Sequence, residues 1–205
     1  MYGDQAPSGR LPYTVAKNET DYGDLLSPVT ANNVSNYYTS ANLTEGVYID
    51  YRHFDAYNIT PRYEFGFGLT YTTFEYANLN IAVTNLGKNA TALPPPAPVS
   101  QGGIESLWDV LVVVEAEINN TGAVSAPEVV QLYLGIPDAP SKQLRGFEKV
   151  PLKAGESTAV RFELTRRDLS IWDTVQQSWV LKRGQYMVEI GASSRDIRLS
   201  RSLVL

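Results

Sequence analysis

The chain has 205 residues, of which 43% are hydrophobic, and its formal net charge is −5. This length and hydrophobic content suffice for one large domain, or for one ordinary domain with an additional segment. The acidic charge disfavours nucleic acid and anionic membranes as partners. A membrane-spanning helix requires an apolar run of about 18 residues, and no run in the sequence is that long. Because the sequence contains no Cys, disulfides and thiolate metal sites are excluded.

The N-terminal part of the chain predicts little regular structure. Arg10 to Val15 predicts a short strand at the edge or end of a sheet, because Pro12 cannot donate to a neighbouring strand. Residues 17 to 47 show neither helical nor strand periodicity and predict an extended surface segment. Glu45 to Arg52 predicts a second short strand, and the residues from there to Pro61 predict a loop. The second strand would carry three apolar side chains on one side: Val47, Ile49 and Tyr51.

A seam between two regions is predicted at Pro61 to Phe74. Two glycines, Gly66 and Gly68, alternate there with aromatic residues. Glycine allows positive φ and a close approach of backbones, and the flanking rings need a large surface to pack against. The seam is therefore expected to join the irregular N-terminal part to a regular domain.

From Phe74 onwards, short apolar runs predict about eight β-strands. In the most regular of them, Asp109 to Asn119, apolar residues alternate with Glu115 and Glu117. The Pro-rich and Gly-rich stretch from Leu93 to Gly103 predicts a loop within one domain, since strands of the same pattern lie on both sides. The pattern therefore predicts an all-β protein, an antiparallel β-sandwich. The other predicted strands are 74–83, 127–134, 144–152, 160–164, 172–181, 185–190 and 197–205.

Six Asn-x-Ser/Thr sequons indicate N-glycosylation, and hence a secreted, extracellular protein. The alternative is that a turn-rich chain accumulates Asn, Ser and Thr without being glycosylated. Because the N-terminus lacks the features of a signal peptide, we expect the chain to be part of a longer protein that carries its export signal elsewhere. The candidate asparagines are Asn18, Asn33, Asn42, Asn58, Asn89 and Asn119.

Three carboxylates lie among aromatic residues, where their pKa values could be tuned for catalysis: Asp50, Asp55 and Glu64. Catalysis by a pair of carboxyl groups needs the two held close together in a substrate-sized pocket, with one of them kept protonated by its surroundings. Nothing in the spacing of these three predicts such a pair. We expect them to form salt bridges instead, for instance with Arg52 or Arg62.

No cofactor, metal site or catalytic residue is predicted. His53 is the only histidine, so a Ser-His-Asp triad or a histidine metal site would have to be built around it. We expect His53 to lie in an interface. Asp168 and Asp173 bracket a turn and are expected to cap it.

Twelve Tyr and Phe residues fall between Tyr37 and Tyr76. They could form a platform that stacks sugar rings or lignin, or they could fasten this part of the chain to other domains. The second interpretation is favoured. The three tryptophans, Trp108, Trp172 and Trp179, are expected in the sandwich core or at its rim. Trp172 and Trp179 flank a predicted hairpin, Asp173 to Ser178, so one of these two is expected to be exposed. The candidate binding or interdomain surface consists of Tyr48, Tyr51, Phe54, Tyr63, Phe65, Phe67 and Tyr71.

Seven stretches spread over nearly the whole chain carry a family resemblance: GRLPYT (9–14), YIDYRHFD (48–55), TPRYEFGFGLTYTTFEY (60–76), NTGAVSAPEVVQLYLG (120–135), QLRGFEKVPLKAGES (143–157), LTRRDLSIWD (164–173) and GASSRDIRL (191–199). Together they resemble the C-terminal part of a fungal glycoside hydrolase family 3 β-glucosidase. The combination of FGFGLTYT with QLRGFEKV is the most specific part of the resemblance.

The resemblance implies a three-part enzyme with a TIM-like barrel, an α/β sandwich and a fibronectin type III-like β-sandwich. Residues 1–70 would be the tail of the α/β sandwich with a connecting segment, and residues 71–205 the fibronectin-like domain. The Asp nucleophile and the Glu acid/base of the family would lie upstream of this chain. The expected partners are therefore the barrel and α/β domains of a parent enzyme.

Two functions follow from the resemblance. The fibronectin-like domain would be a structural support in a retaining enzyme that cleaves terminal β-D-glucosyl residues during cellulose or β-glucan breakdown. Alternatively, it would be an accessory module that binds polysaccharide or lignin through exposed aromatic residues.

Overall fold

Nine β-strands, all paired antiparallel, dominate residues 5–26 and 44–205, the parts of the chain that the computed structural model describes. A three-stranded sheet has the order β1-β2-β5, a four-stranded sheet has the order β4-β3-β8-β9, and β6 and β7 form a separate hairpin. The bounds are β1 (Phe74–Val83), β2 (Val110–Asn120), β3 (Ala126–Gly135), β4 (Gln143–Leu152), β5 (Ser157–Thr165), β6 (Ser170–Asp173), β7 (Ser178–Leu181), β8 (Gln185–Gly191) and β9 (Ile197–Val204).

The described helices are short. They are α1 (Tyr51–Ala56), α2 (Asn85–Lys88) and two 3-10 helices, Glu19–Leu26 and Glu105–Trp108. Among the described residues, no helix is both long and apolar enough to cross a membrane.

The core lies between the two larger sheets and follows the predicted alternation. In β2 every second residue from Val112 to Ile118 is buried, while Glu115 and Glu117 point to the other face. Across the core from the buried residues of β2, strand β3 buries Val130, Leu132 and Leu134, and β8 buries Tyr186, Val188 and Ile190. Because strand side chains alternate between faces, the apolar residues of each strand reach the same core. The prediction of an all-β sandwich is confirmed.

A third layer covers the outer face of the four-stranded sheet. We call residues 5–26 and 44–73 the connecting layer, since they precede β1 and pack against the sandwich. Beneath this layer, Gln131 and Tyr133 on the outer face of β3 are 3% and 0% exposed. Strand β3 is therefore buried on both faces, although its sheet is antiparallel.

The prediction of a strand at Glu45 to Arg52 is wrong. Residues 44–47 form a turn, and α1 begins at Tyr51. The reason is Asp50, whose carboxylate caps α1 by accepting from the Tyr51 N–H at 2.6 Å and also accepts from the N–H and hydroxyl of Thr14. Val47 and Ile49 are exposed, and only Tyr51 of the predicted apolar side is buried.

The loop predicted after Arg52 is also wrong in its first part, which belongs to α1. Similarly, the segment predicted as extended contains the 3-10 helix Glu19–Leu26. The rest of that prediction, residues 27–43, lies outside the described residues.

Arg10 to Val15 does not form a regular strand. It bends at Pro12 and Tyr13 and makes one isolated bridge, between Val15 and Tyr63. Backbone hydrogen bonds at 2.8 Å also link Leu11 with Gly66 and Phe67. The partner of this stretch is therefore the seam itself and not a sheet edge.

The loop prediction for residues 93–103 is confirmed, since the stretch contains only an isolated bridge between Ser100 and Gly103. The hairpin predicted between Trp172 and Trp179 is present as β6–β7, and because the region 172–181 was counted once in the predicted total, nine strands replace about eight. The proposed domain boundary between residues 70 and 71 stays a prediction.

Candidate functional site

The seam is built around a close contact between Gly66 and β3. Gly66 has a φ of +81°, and a Cβ there would lie 2.1 Å from Gln131 Oε1. Gln131 Nε2 donates to the carbonyls of Gly66 (3.1 Å) and Ala192 (2.7 Å), while its Oε1 accepts from the Tyr133 hydroxyl at 2.6 Å. Only glycine fits both the conformation and the space. The position of the seam glycine is thus set by one buried side chain of the sandwich.

Gly68 is required for a different reason. A Cβ at Gly68 would lie 2.4 Å from the Gly9 carbonyl oxygen and 2.7 Å from Arg10 Cδ. The two stretches of the connecting layer that contain Gly9 and Gly68 therefore cross here with no room for a side chain. The close approach expected at the seam glycines is present at both.

A buried ion pair joins the connecting layer to the sandwich core. Arg10 Nη2 donates to both carboxylate oxygens of Glu128, at 2.8 and 2.7 Å, and the Tyr76 hydroxyl donates to Glu128 Oε1 at 2.7 Å. The Glu128 side chain is 2% exposed, and burial raises its pKa above the ordinary carboxyl value while Arg10 and Tyr76 oppose that rise. Burial, followed by the Glu128 charge, raises the pKa of Tyr76. Arg10 is thus the counterion of a carboxylate in the core.

The three carboxylates considered from the sequence all have structural partners. Asp55 lies 3.1 Å from Arg195 Nη2 and 3.6 Å from Lys142 Nζ, both on the sandwich. Glu64 accepts from the Ser193 hydroxyl at 2.7 Å, and Asp50 caps α1. Neither Arg52 nor Arg62, proposed from the sequence as partners, forms these contacts.

The seven candidate aromatic residues divide into an inner and an outer group. Tyr51 and Phe54 are buried, and Phe65 and Phe67 are half-buried. The ring centroid of Tyr51 lies 4.8 Å from that of Phe65 and 6.0 Å from that of Tyr133, and its hydroxyl accepts from the Leu144 N–H at 2.8 Å. Burial raises the pKa of Tyr51. The inner group therefore fastens the connecting layer to this chain's own sandwich.

The outer group consists of Tyr48, Tyr63 and Tyr71, which are 38%, 44% and 49% exposed. Tyr63 packs on Phe67 with ring centroids 5.0 Å apart. Leu69 is exposed in the same stretch. This side of the connecting layer presents apolar groups to solvent.

His53 lies within the connecting layer. Its Nε2 is 3.1 Å from the Asp21 carbonyl oxygen, and its ring packs against Phe54 and Tyr57 at 5.8 and 4.7 Å. In the described part of the chain, no three His, Cys, Asp or Glu side chains are grouped so that they could hold a metal ion. The contacts of His53 are those of a side chain that packs within the connecting layer.

The sequons differ in accessibility. Asn18, Asn58 and Asn89 are exposed, whereas Asn119 is half-buried on the outer face of β2. Asn33 and Asn42 lie outside the described residues.

Asp168 and Asp173 accept backbone hydrogen bonds, as turn caps do. Asp168 Oδ2 accepts from the Thr165 N–H at 2.9 Å, and Asp173 Oδ1 accepts from the N–H groups of Val175 and Gln176 at 2.9 Å. Both are half-exposed, which fits their role in turns.

The sandwich side of the seam was not predicted from the sequence; it consists of Glu128, Gln131 and Tyr133. Glu128 occupies an inward position between Ala126 and Val130. A charged residue at a core position requires a buried partner, so this signal could have identified the ion pair but not that the partner is Arg10.

Comparison with known proteins agrees with this architecture. A family model described as a fibronectin type III-like domain matches residues 128–194, from β3 to just beyond β8. Over 205 residues the chain is 53% identical to a probable beta-glucosidase M of Neosartorya fischeri, matching 100% of this chain and 26% of that protein. A probable beta-glucosidase M of Aspergillus niger is 52% identical over 200 residues, matching 98% and 26%. The chain corresponds to the C-terminal portion of the glycoside hydrolase family 3 β-glucosidases.

Solved structures of β-glucosidases superpose on both the sandwich and the connecting layer. The beta-D-glucoside glucohydrolase of Trichoderma reesei has a TM-score of 0.85 and 44% identity, covering 99% of this chain and 27% of that one. The glycoside hydrolase family 3 beta-glucosidase of Neurospora crassa has a TM-score of 0.81 and 31% identity, covering 98% and 33%. The chain thus spans about a quarter of the length of the curated relatives that it matches.

Proposed function

We propose that this chain is the non-catalytic C-terminal portion of a secreted β-glucosidase and that its sandwich is a structural support for the barrel and α/β domains of that enzyme. The observation that carries the proposal is the two-sided connecting layer. Its inner side is fixed to the sandwich through Gln131, Glu128 and Tyr133, while its outer side exposes Tyr63, Leu69 and Tyr71. An exposed apolar surface on a rigid support fits a docking site for further domains.

Catalysis is assigned to the domains that precede this portion. The parent enzyme would hydrolyse terminal β-D-glucosyl residues with retention, in cellulose or β-glucan breakdown. Retention requires a nucleophile and an acid/base, whereas Asp50, Asp55 and Glu64 are already engaged as a helix cap, an ion pair and a hydrogen-bond acceptor.

Secretion and glycosylation belong to the same proposal. They are supported by exposed sequons at Asn18, Asn58 and Asn89, where a glycan would project into solvent. Expression in a eukaryotic secretory host followed by glycosidase treatment should lower the apparent mass of the chain. The Asn89→Gln variant should lose one glycan, and no mass change on treatment of the unmodified chain would contradict glycosylation.

A chimera tests the supporting role. The C-terminal portion of the Trichoderma reesei enzyme is replaced by this chain, and release of nitrophenol from an aryl β-glucoside is measured for the chimera and for the chain alone. We expect turnover from the chimera and none from the chain. Turnover by the purified chain alone would overturn the non-catalytic assignment.

Paired variants then test the docking surface. The double change Tyr63→Ser and Tyr71→Ser should leave the unfolding temperature of the isolated chain unchanged but lower that of the chimera, because these rings are covered only in the chimera. Val175→Ser, on the exposed β6–β7 turn, is the matched control and should change neither. Equal effects of the double change on chain and chimera would argue against docking at this surface.

A second candidate function is the binding of polysaccharide or lignin by an accessory module. The observation that favours it is the exposure of Trp108 and Trp172. These tryptophans belong to the sandwich and not to the connecting layer, which carries the exposed tyrosines.

A further inference from the structure

All three tryptophans of the chain lie in one surface cluster at the β6–β7 hairpin. Trp172 and Trp179 are directly paired across the hairpin, and their ring centroids are 5.6 Å apart in an edge-on arrangement. Trp108 ends the 3-10 helix Glu105–Trp108 and is joined to the group through Arg167. Trp108 and Trp172 are 48% and 45% exposed.

Arg167 holds the cluster together. Its guanidinium carbon lies 5.3 Å from the ring centroid of Trp108 and 5.2 Å from that of Trp179. Both distances are within the range of cation–π attraction, and Arg167 itself is exposed. Both contacts use the face of the guanidinium group, so its N–H donors, which make no hydrogen bond to the described residues, can face a ligand.

The cluster is not explained by packing of the sandwich. The hydrophobic core of the described residues is filled by Val, Leu, Ile, Ala, Phe and Tyr and contains no tryptophan. Large indole faces that are half-exposed and braced by an arginine have the composition of binding hot spots. The cluster therefore indicates recognition of a ligand with a flat apolar face.

The surroundings favour a neutral, hydroxylated ligand. The turn between β6 and β7 carries Thr174, Gln176 and Gln177, all exposed, which can exchange hydrogen bonds with hydroxyl groups. The net charge of −5 disfavours a polyanion. A pyranose ring meets both requirements, since its C–H face is apolar and its rim carries hydroxyls.

We propose that Trp108, Trp172, Trp179 and Arg167 bind the pyranose rings of a neutral β-glucan chain. This rests on the proposed function, in which the chain belongs to an enzyme acting on such chains. The binding surface would hold the polymer by stacking on the indoles and by hydrogen bonds from the guanidinium, with no chemical step.

Tryptophan fluorescence tests the proposal directly, because every tryptophan of the chain lies in the cluster. The full chain is titrated with cellohexaose and with laminarihexaose, and we expect a saturable change in intensity or emission wavelength. Trp172→Ala and Arg167→Met should each weaken binding about tenfold, as truncation of a hot-spot residue does. Tyr57→Ala removes an even more exposed ring, on the connecting layer, and is the control that should bind normally.

The following results of the binding and unfolding experiments would overturn the proposal. No fluorescence change with either oligosaccharide, or equal binding by Trp172→Ala and the unmodified chain, would exclude a glucan site here. Retention on insoluble lignin but not on cellulose would assign the cluster to phenolic polymers instead. A lower unfolding temperature of Trp172→Ala in the chimera but not in the isolated chain, without glucan binding, would assign it to domain docking. Failure of the chimera to turn over substrate would affect the proposed function alone, since the titration uses only this chain.

Discussion

The sandwich core and the connecting layer are stabilised in different ways. In the core, the free energy comes from apolar burial that is spread over many residues of five or more strands, such as Val114, Leu132 and Val188. In the connecting layer, a few specific contacts join short, irregular stretches to the sandwich, chiefly Gly66 with Gln131 and Arg10 with Glu128. Single contacts should therefore matter more in the layer than on the sandwich surface.

This difference in stabilisation also explains how the connecting layer can have a fixed inner side and an exposed apolar outer side. Because polar and glycine contacts fix the inner side of the layer, its outer rings do not have to contribute to the stability of this chain. They are available for contact with other domains.

Arg10→Met should have the largest effect, a loss of about 3–5 kcal/mol in the free energy of unfolding, because it leaves the buried Glu128 carboxylate without a counterion. Urea unfolding followed by circular dichroism measures the change. Met keeps most of the side-chain volume, so lost packing contributes little. A change below about 1 kcal/mol, the range of exposed pairs, would mean that the pair does not join the two regions.

The same variant should be sensitive to pH. Burial already raises the pKa of Glu128 in the folded state, and loss of Arg10 raises it further. A group with a raised folded-state pKa stabilises the fold below its unfolded value, about 4.3, and that stability is lost as pH rises through the folded value. The Arg10→Met penalty should therefore be larger at neutral pH than near pH 4. In the double variant with Glu128→Gln this pH dependence should disappear, and a constant penalty in the single variant would contradict the assignment.

Tyr51→Ala should cost about 3 kcal/mol, since it removes a buried ring that packs on Phe65 and Tyr133 together with the acceptor for the Leu144 N–H. Tyr51→Phe keeps the ring and should cost about 1 kcal/mol. Thermal unfolding of the two variants separates packing from hydrogen bonding. If both variants matched the unmodified chain, the inner rings would not fasten the layer.

Gly68→Ala should cost about 2 kcal/mol, because the new Cβ would lie 2.4 Å from the Gly9 carbonyl oxygen and one backbone must move. Gly9→Ala is the matched control on the opposite stretch, where a Cβ meets no atom within 4 Å. Its unfolding midpoint in urea should equal that of the unmodified chain. Equal midpoints for both variants would show that the crossing tolerates separation.

Arg161→Ala should have no measurable effect. Arg161 pairs with Glu115 and Glu163 on the outer face of the three-stranded sheet, where all three side chains are about half-exposed. Solvent and salt screen such pairs. An unfolding midpoint clearly below that of the unmodified chain would show that the sandwich surface also depends on individual contacts.

The sequence by itself determined the sandwich. The alternation of apolar and polar residues in strands such as β2 and β5 predicts which side chains are buried, and it can be recognised without knowledge of the rest of the fold. It also identified the seam glycines, since glycine beside aromatic residues marks a close approach. Only the tertiary structure decided the partners. Asp50 caps a helix because Thr14 anchors it, Arg10 pairs with Glu128 across 118 positions, and the three tryptophans meet at one hairpin. Contacts between residues so distant in sequence leave no local periodicity, so the connecting layer and its two surfaces could not be predicted from pattern alone.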